Sequence, residues 1–214
     1  MKNIFGIRSV VAAFAALVPS VAFAHHPLGG EVPSTLFQGL ISGLAHPVIG
    51  FDHLAFIIAV GLVTAFASKQ FMGRFMGPLG FLGGMFAGCL LTLTGLQIGF
   101  VEYVIMLSVV GMGSFAMFGR TLGSTAAVVA LAAIGLFHGY AYGGAVIGAE
   151  ASPILTYLLG LLFVQGMIIF ATQEIVRAFA GFDAANAVWV RVSGGVVAGI
   201  GAAIVLETAE SLIF

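Results

Sequence analysis

Residues 153–173 read PILTYLLGLLFVQGMIIFATQ, a run without one charged side chain. A bilayer core about 30 Å thick is crossed by about 20 apolar residues in an α-helix, so the run predicts a membrane span. Similar stretches recur along the chain, at 48–67, 78–98, 102–119, 122–141 and 190–209. The expectation is therefore an all-α, polytopic membrane protein with six transmembrane helices. Composition agrees: of 214 residues 61% are hydrophobic and 7% charged, where a soluble domain carries about 25% charged residues. Mean hydropathy is +1.19. Seven Lys and Arg against eight Asp and Glu leave no basic face for nucleic acid. No phosphate-binding G-x-x-x-x-G-K-[ST] loop is present, and no polar stretch is long enough to fold as a fused ATPase. Cys89, the single cysteine, excludes an internal disulfide and any Cys-based metal cluster.

Residues 1–24 read as a cleavable secretory signal. Lys2 and Arg8 open it, Val10 to Val18 form its apolar centre, and Ala22-Phe23-Ala24 makes a small-x-small cleavage site; a retained first helix is the alternative. Cleavage after Ala24 leaves residues 25–214 as a single six-helix domain beginning His25-His26-Pro27, where a free α-amine beside an imidazole can collect a transition metal. The remaining basic residues, Lys69, Arg74, Arg120, Arg177 and Arg191, all fall in connections on one side. Lys and Arg are retained in the cytoplasm, so an outer N-terminus and six crossings put every basic residue inside and both termini outside. Gly80, Gly84 and Gly88 on the second span, and Gly195 with Gly199 on the sixth, are spaced for close backbone approach between helices.

A few ionisable groups remain at membrane depth: His46, Asp52 and His53 in HPVIGFDH at 46–53, and His138 near the end of the fourth span. A charge at the centre of a bilayer costs about 2.5–3.5 kcal/mol on insertion scales, so such groups face the bundle interior and need partners. Seven residues are close to two helical turns, which puts His46 and His53 on one face of a continuous helix, with Pro47 and Gly50 weakening it. The first span runs inward and the fourth outward, so His138 lies at similar depth, with Glu150 following in the outer loop or at the start of the fifth span. Imidazoles and carboxylates without thiolate suit Ni²⁺, Co²⁺, Zn²⁺ or Cu²⁺ better than Cu⁺. A satisfied interhelical histidine or a proton relay is the alternative for any one of these residues taken singly.

His46-x5-Asp52-His53 followed by Leu54 to Gly61, and Phe137-His138-Gly139-Tyr140-Ala141, resemble the two signatures of the HupE/UreJ proteins. The resemblance implies inward nickel or cobalt permeation across the bacterial inner membrane for hydrogenase or urease maturation. It carries over His46, Asp52, His53 and His138 as residues of the metal path. The family usually continues FHG-x-[AV]-H-G-x-E; here Tyr142 replaces the second His and Ala145 the Glu, with Glu150 the carboxylate nearest in sequence.

The expected activity is thus secondary transport of a divalent ion, with no permanently bound cofactor and no enzyme chemistry. His25 and His26 collect the ion, and His46, Asp52, His53, His138 and Glu150 bind it. The expected partners are the ion, the lipid bilayer and a second copy in a homo-oligomer. Thr92, Thr94, Ser108, Ser114 and Gln165 are expected to line the inner half of the path, or else to hydrogen-bond between helices. The rival readings are a haem or redox protein with axial histidines, a membrane metalloenzyme and a metal sensor that does not transport.

Overall fold

A computed structural model describes Gly29 and residues 31–68, 71–120, 122, 124–180 and 187–213; the expected signal segment, His25 and His26 lie outside them. The described elements are all helical: α1 (Leu36–Ile49), α2 (Phe51–Thr64), α3 (Phe71–Thr92), α4 (Val101–Met117), α5 (Ser124–Gly143), α6 (Ala151–Ala180) and α7 (Val188–Ile213), with a 3-10 turn at Gly144–Val146. Of these, α3, α5, α6 and α7 are long and apolar enough to cross a membrane, and α1 with α2 makes a fifth candidate if the bent pair is one span. At 17 residues α4 is shorter, about 25 Å at 1.5 Å per residue.

The first expected span, 48–67, differs from what forms. Helix starts earlier, where Thr35 accepts the Gln38 N–H at 3.1 Å and the Gln38 side chain accepts the Ser34 N–H at 2.8 Å, a near relative of the capping box. It then breaks at Gly50, and α1 meets α2 at 79°. Gly50 is extended (φ −76°, ψ 108°); its N–H closes the last turn of α1 on the His46 carbonyl while its own carbonyl accepts from Leu54 in α2. One turn earlier Pro47 has no N–H to offer the Gly43 carbonyl, so α1 is already weakened where it ends. Asp52 in the first turn of α2 complements that helix's dipole.

Lipid supplies no hydrophobic drive between helices, so small residues that allow backbone contact do the holding. Along the parallel pair α3–α5, Gly80, Gly84 and Gly88 lie on the carbonyls of Val128, Ala132 and Leu136, and Gly135 and Gly139 of α5 lie back on Phe81 and Met85. The expected stripe on α3 is therefore a packing seam. On α7 the expected pair is not the one used. A Cβ at Gly199 would meet nothing within 4 Å and one at Gly195 only the Met117 side chain, whereas Gly194 and Gly201 abut Ala116–Met117 and Val110 of antiparallel α4. The working stripe is Gly194, Ala198 and Gly201, with Gly113 of α4 seated on Ala198. A four-residue glycine spacing identifies a helix able to pack closely without saying which register faces the neighbour.

Both halves of the broken helix follow α6 in the same direction. Gly39 and Gly43 of α1 abut Pro153 and Tyr157, and Gly61 of α2 abuts Ile169 and Thr172. These pairings collect Arg74, Arg177 and Arg191 at one end of the bundle, where Arg74 bonds Glu174 at 2.8 Å and Arg191 donates to the Met117 carbonyl at 3.0 Å. Arg120 joins them just past α4, which ends in a Schellman turn: Gly119 (φ 65°) and Arg120 donate to the carbonyls of Ala116 and Phe115. The three described histidines stand toward the other end. Between the ends lie two apolar clusters, one around Phe56, Val60, Phe81 and Ile169, the other around Met85, Cys89, Tyr142, Tyr157 and Leu161.

Candidate metal-binding site

The break at Gly50 carries the site. On a continuous helix His46 and His53 would sit about 10.5 Å apart along the axis; across the break their ring centroids are 6.0 Å apart. His46 and His53 thus meet because the helix folds over, and the same-face expectation for an unbroken helix is replaced by this geometry. His138 of α5 comes to 5.8 Å from His53 on its other side. Three imidazoles from α1, α2 and α5 therefore form a row, at 5%, 8% and 1% exposure. Tyr142, one turn after His138, lies against both His46 (4.9 Å) and His53 (4.4 Å). Phe56 stacks 4.2 Å from His138 and closes the row below.

Hydrogen-bond chains fix two of the rings. The Tyr157 hydroxyl donates to the Tyr142 carbonyl at 2.9 Å, and His46 Nδ1 is 2.9 Å from that hydroxyl. With its one proton committed, the hydroxyl accepts from Nδ1–H, and the lone pair of neutral His46 falls on Nε2. At the other end of the row the Ser108 hydroxyl donates to the Ile105 carbonyl at 2.6 Å and lies 3.0 Å from His138 Nε2. By the same logic Nε2 carries the proton of His138 and Nδ1 the lone pair. Anchoring one imidazole nitrogen by a hydrogen bond, so that the other is presented, is how metal-binding histidines are oriented.

Asp52 stands beside the row, its Oδ2 3.9 Å from His53 Nδ1. Glu150 is exposed at the start of α6, outside the row, and its carbonyl accepts the Ile154 N–H. Among the described residues no group of three or more His, Cys, Asp and Glu is drawn together tightly enough to hold a metal ion; the imidazoles meet pairwise, with Tyr142 packed against two of them. Of the polar residues expected in the inner half, Thr92, Thr94 and Ser108 instead belong to the histidine end. Thr92 donates to the Tyr140 carbonyl at 2.6 Å, tying α3 to α5, Thr94 donates to the Leu91 carbonyl at 2.7 Å, and Ser108 touches His138. Tyr157 has no part in the sequence-based site. Its only signal is a polar handle within an apolar run, on a helix distant in sequence from every histidine.

The chain matches the family described as HupE / UreJ protein over residues 12–204. It is 30% identical to Protein HupE of Rhizobium leguminosarum bv. viciae over 200 residues, covering 94% of this chain and 97% of that one. No solved structure matches it.

Proposed function

Because the chain belongs to the HupE/UreJ family, we propose that it is a permease carrying a divalent transition-metal ion, nickel or cobalt, inward across the inner membrane for metalloenzyme maturation. The supporting observation is the row His46–His53–His138, buried where a helix breaks, with the tautomers of its two end rings set by Tyr157 and Ser108. The row offers nitrogen donors, with Asp52 alongside to offset part of the cation's charge. Nitrogen and oxygen without thiolate suit Ni²⁺, Co²⁺, Zn²⁺ or Cu²⁺, and the family favours the first two.

A transported ion must bind firmly enough to lose water and loosely enough to leave. Pairwise imidazoles about 6 Å apart fit that need better than a closed resident site. In this reading residues 1–24 are removed and the chain crosses the membrane six times, α1 with α2 as the broken first crossing. The arginine end then faces the cytoplasm, as retained basic residues require, and both termini face outward. His25 and His26 collect the ion, and Glu150 at the outer surface adds a carboxylate to its approach. Two charges moving inward through 100 mV gain about 4.6 kcal/mol, at about 2.3 per charge, so accumulation needs no ATP. Imidazole protonation competes with metal, which makes proton exchange the natural coupling.

The test is uptake of radiolabelled Ni²⁺ and Co²⁺ by cells expressing the protein, beside His53→Ala and Asp52→Ala variants present in the membrane at equal amount. Accumulation by the parent and its loss in both variants is expected. Equal accumulation in parent and variants removes the site from the mechanism, and none by the parent removes the function.

A further inference from the structure

Gln165 of α6 is fully buried, and neither its side-chain oxygen nor its nitrogen has a hydrogen-bond partner among the described residues. The usual task of a glutamine in a bundle, bonding to a neighbouring helix, is thus not what it does. An unmet buried polar group costs about 1–3 kcal/mol, a cost that leucine at the same place would not carry. One turn before it, Leu161 belongs to the apolar cluster of Met85, Tyr142 and Tyr157; one turn after it, Ile169 belongs to that of Phe56, Val60 and Phe81. The bare amide marks the seam between the two clusters.

The other fully buried polar residues of α6 are Tyr157 and Gln173, each eight positions from Gln165, or about 12 Å along the axis. Gln173 donates its amide N–H to Thr64 Oγ1 at 2.8 Å and to the Arg74 carbonyl at 3.2 Å. Its own oxygen, turned away from both, has no partner among the described residues, and neither does the Tyr142 hydroxyl beside His46 and His53. Three successive levels of the bundle therefore each hold a buried, uncharged oxygen with lone pairs to give.

We propose that Gln165 and Gln173 are cation stations, at which amide oxygens receive a divalent ion, or its remaining water, on its way from the histidine row to the arginine end. The proposal rests on the permease reading and extends it through the part of the bundle that carries no histidine. Neutral oxygens suit that task, since they replace hydration without the deep trap that a carboxylate would make.

Four proteins test this: the parent, Gln165→Leu, Gln165→Cys and Met167→Cys. In Gln165→Leu the initial rate of Co²⁺ uptake falls about ten- to hundredfold, while the purified protein melts no lower than the parent. In membranes Gln165→Cys reacts with a small cationic methanethiosulfonate and Co²⁺ slows the reaction; Met167→Cys, on the exposed, lipid-facing side of the same helix, stays inert. Full uptake by Gln165→Leu overturns the proposal and leaves the permease standing. Inert Gln165→Cys, or labelling that Co²⁺ does not slow, overturns it likewise, and this arm decides if the leucine variant fails to fold. No uptake by the parent overturns both readings together.

Discussion

Glycine does opposite work in two parts of this bundle. Along α3 and α5, Gly80, Gly84, Gly88, Gly135 and Gly139 bring two helices into backbone contact. At Gly50 a single glycine parts α1 from α2 and folds one histidine over another. Among the described residues the seam is apolar and held without hydrogen-bonding side chains except at its end, where Thr92 reaches the Tyr140 carbonyl. The break is polar, with His46, Asp52 and His53 gathered around it. Where lipid removes the hydrophobic drive, close packing by small residues carries the fold, and the few polar side chains are left for the proposed ion site. Damage to the seam should therefore abolish the protein, and damage at the break should abolish only its activity.

The largest effect is expected at the seam. A Cβ at Gly84 would run into the Ala132 carbonyl, whereas one at Gly83 meets nothing within 4 Å. Gly84→Val should destabilise the protein by about 1–3 kcal/mol or more, the usual range for overpacking, and Gly83→Val should be far milder. Thermal unfolding in detergent, followed by loss of helical circular dichroism, compares the two neighbours directly. Equal melting temperatures would mean that the seam does not hold the bundle.

A smaller and more selective effect is expected at the break. Tyr157→Phe deletes the hydroxyl that accepts from His46 Nδ1 and donates to the Tyr142 carbonyl, and leaves the ring in its cluster. Tyr157 is a positioning residue, so its loss should weaken Ni²⁺ or Co²⁺ binding by about ten- to hundredfold, as partners of metal-binding histidines do. Ser108→Ala should act in the same direction through His138. Isothermal titration of the purified variants gives the affinity, and ¹⁵N chemical shifts of the imidazoles report the tautomer, which a purely structural role would not move. Unchanged shifts and affinity in Tyr157→Phe would show that the ring is oriented by something else.

How much of this was legible in the sequence follows from the reach of each signal. Span positions came from local hydropathy, and α5, α6 and α7 stand close to where the apolar runs put them, whereas α3 (Phe71–Thr92) lies six to seven residues before the expected 78–98. Pro47 and Gly50 marked a weak point, yet its depth in the span and its angle depend on α6 running alongside both halves, which no local pattern encodes. The histidines were identifiable as costly residues in an apolar run. Their order in the row, the tyrosine against two of them and the hydroxyls behind the end rings are contacts between α1, α2, α4, α5 and α6, and pairings of that range leave no trace in spacing.

The smallest expected effect tests the register on α7. Gly194 lies against Ala116 and Met117 of α4, so Gly194→Ala places a methyl group where backbone already stands. Gly199 is exposed with nothing within 4 Å, and alanine there gains up to about 1 kcal/mol of helix propensity over glycine. The two substitutions are chemically identical and lie on one helix, so their difference isolates the contact with α4 from any general effect of removing a glycine. Gly199→Ala should melt at or slightly above the parent temperature, and Gly194→Ala below it. The reverse order would move the packing face of α7 to Gly195 and Gly199, the pair that the four-residue spacing singles out, and would turn the helix by about 100° for the single-residue change of register.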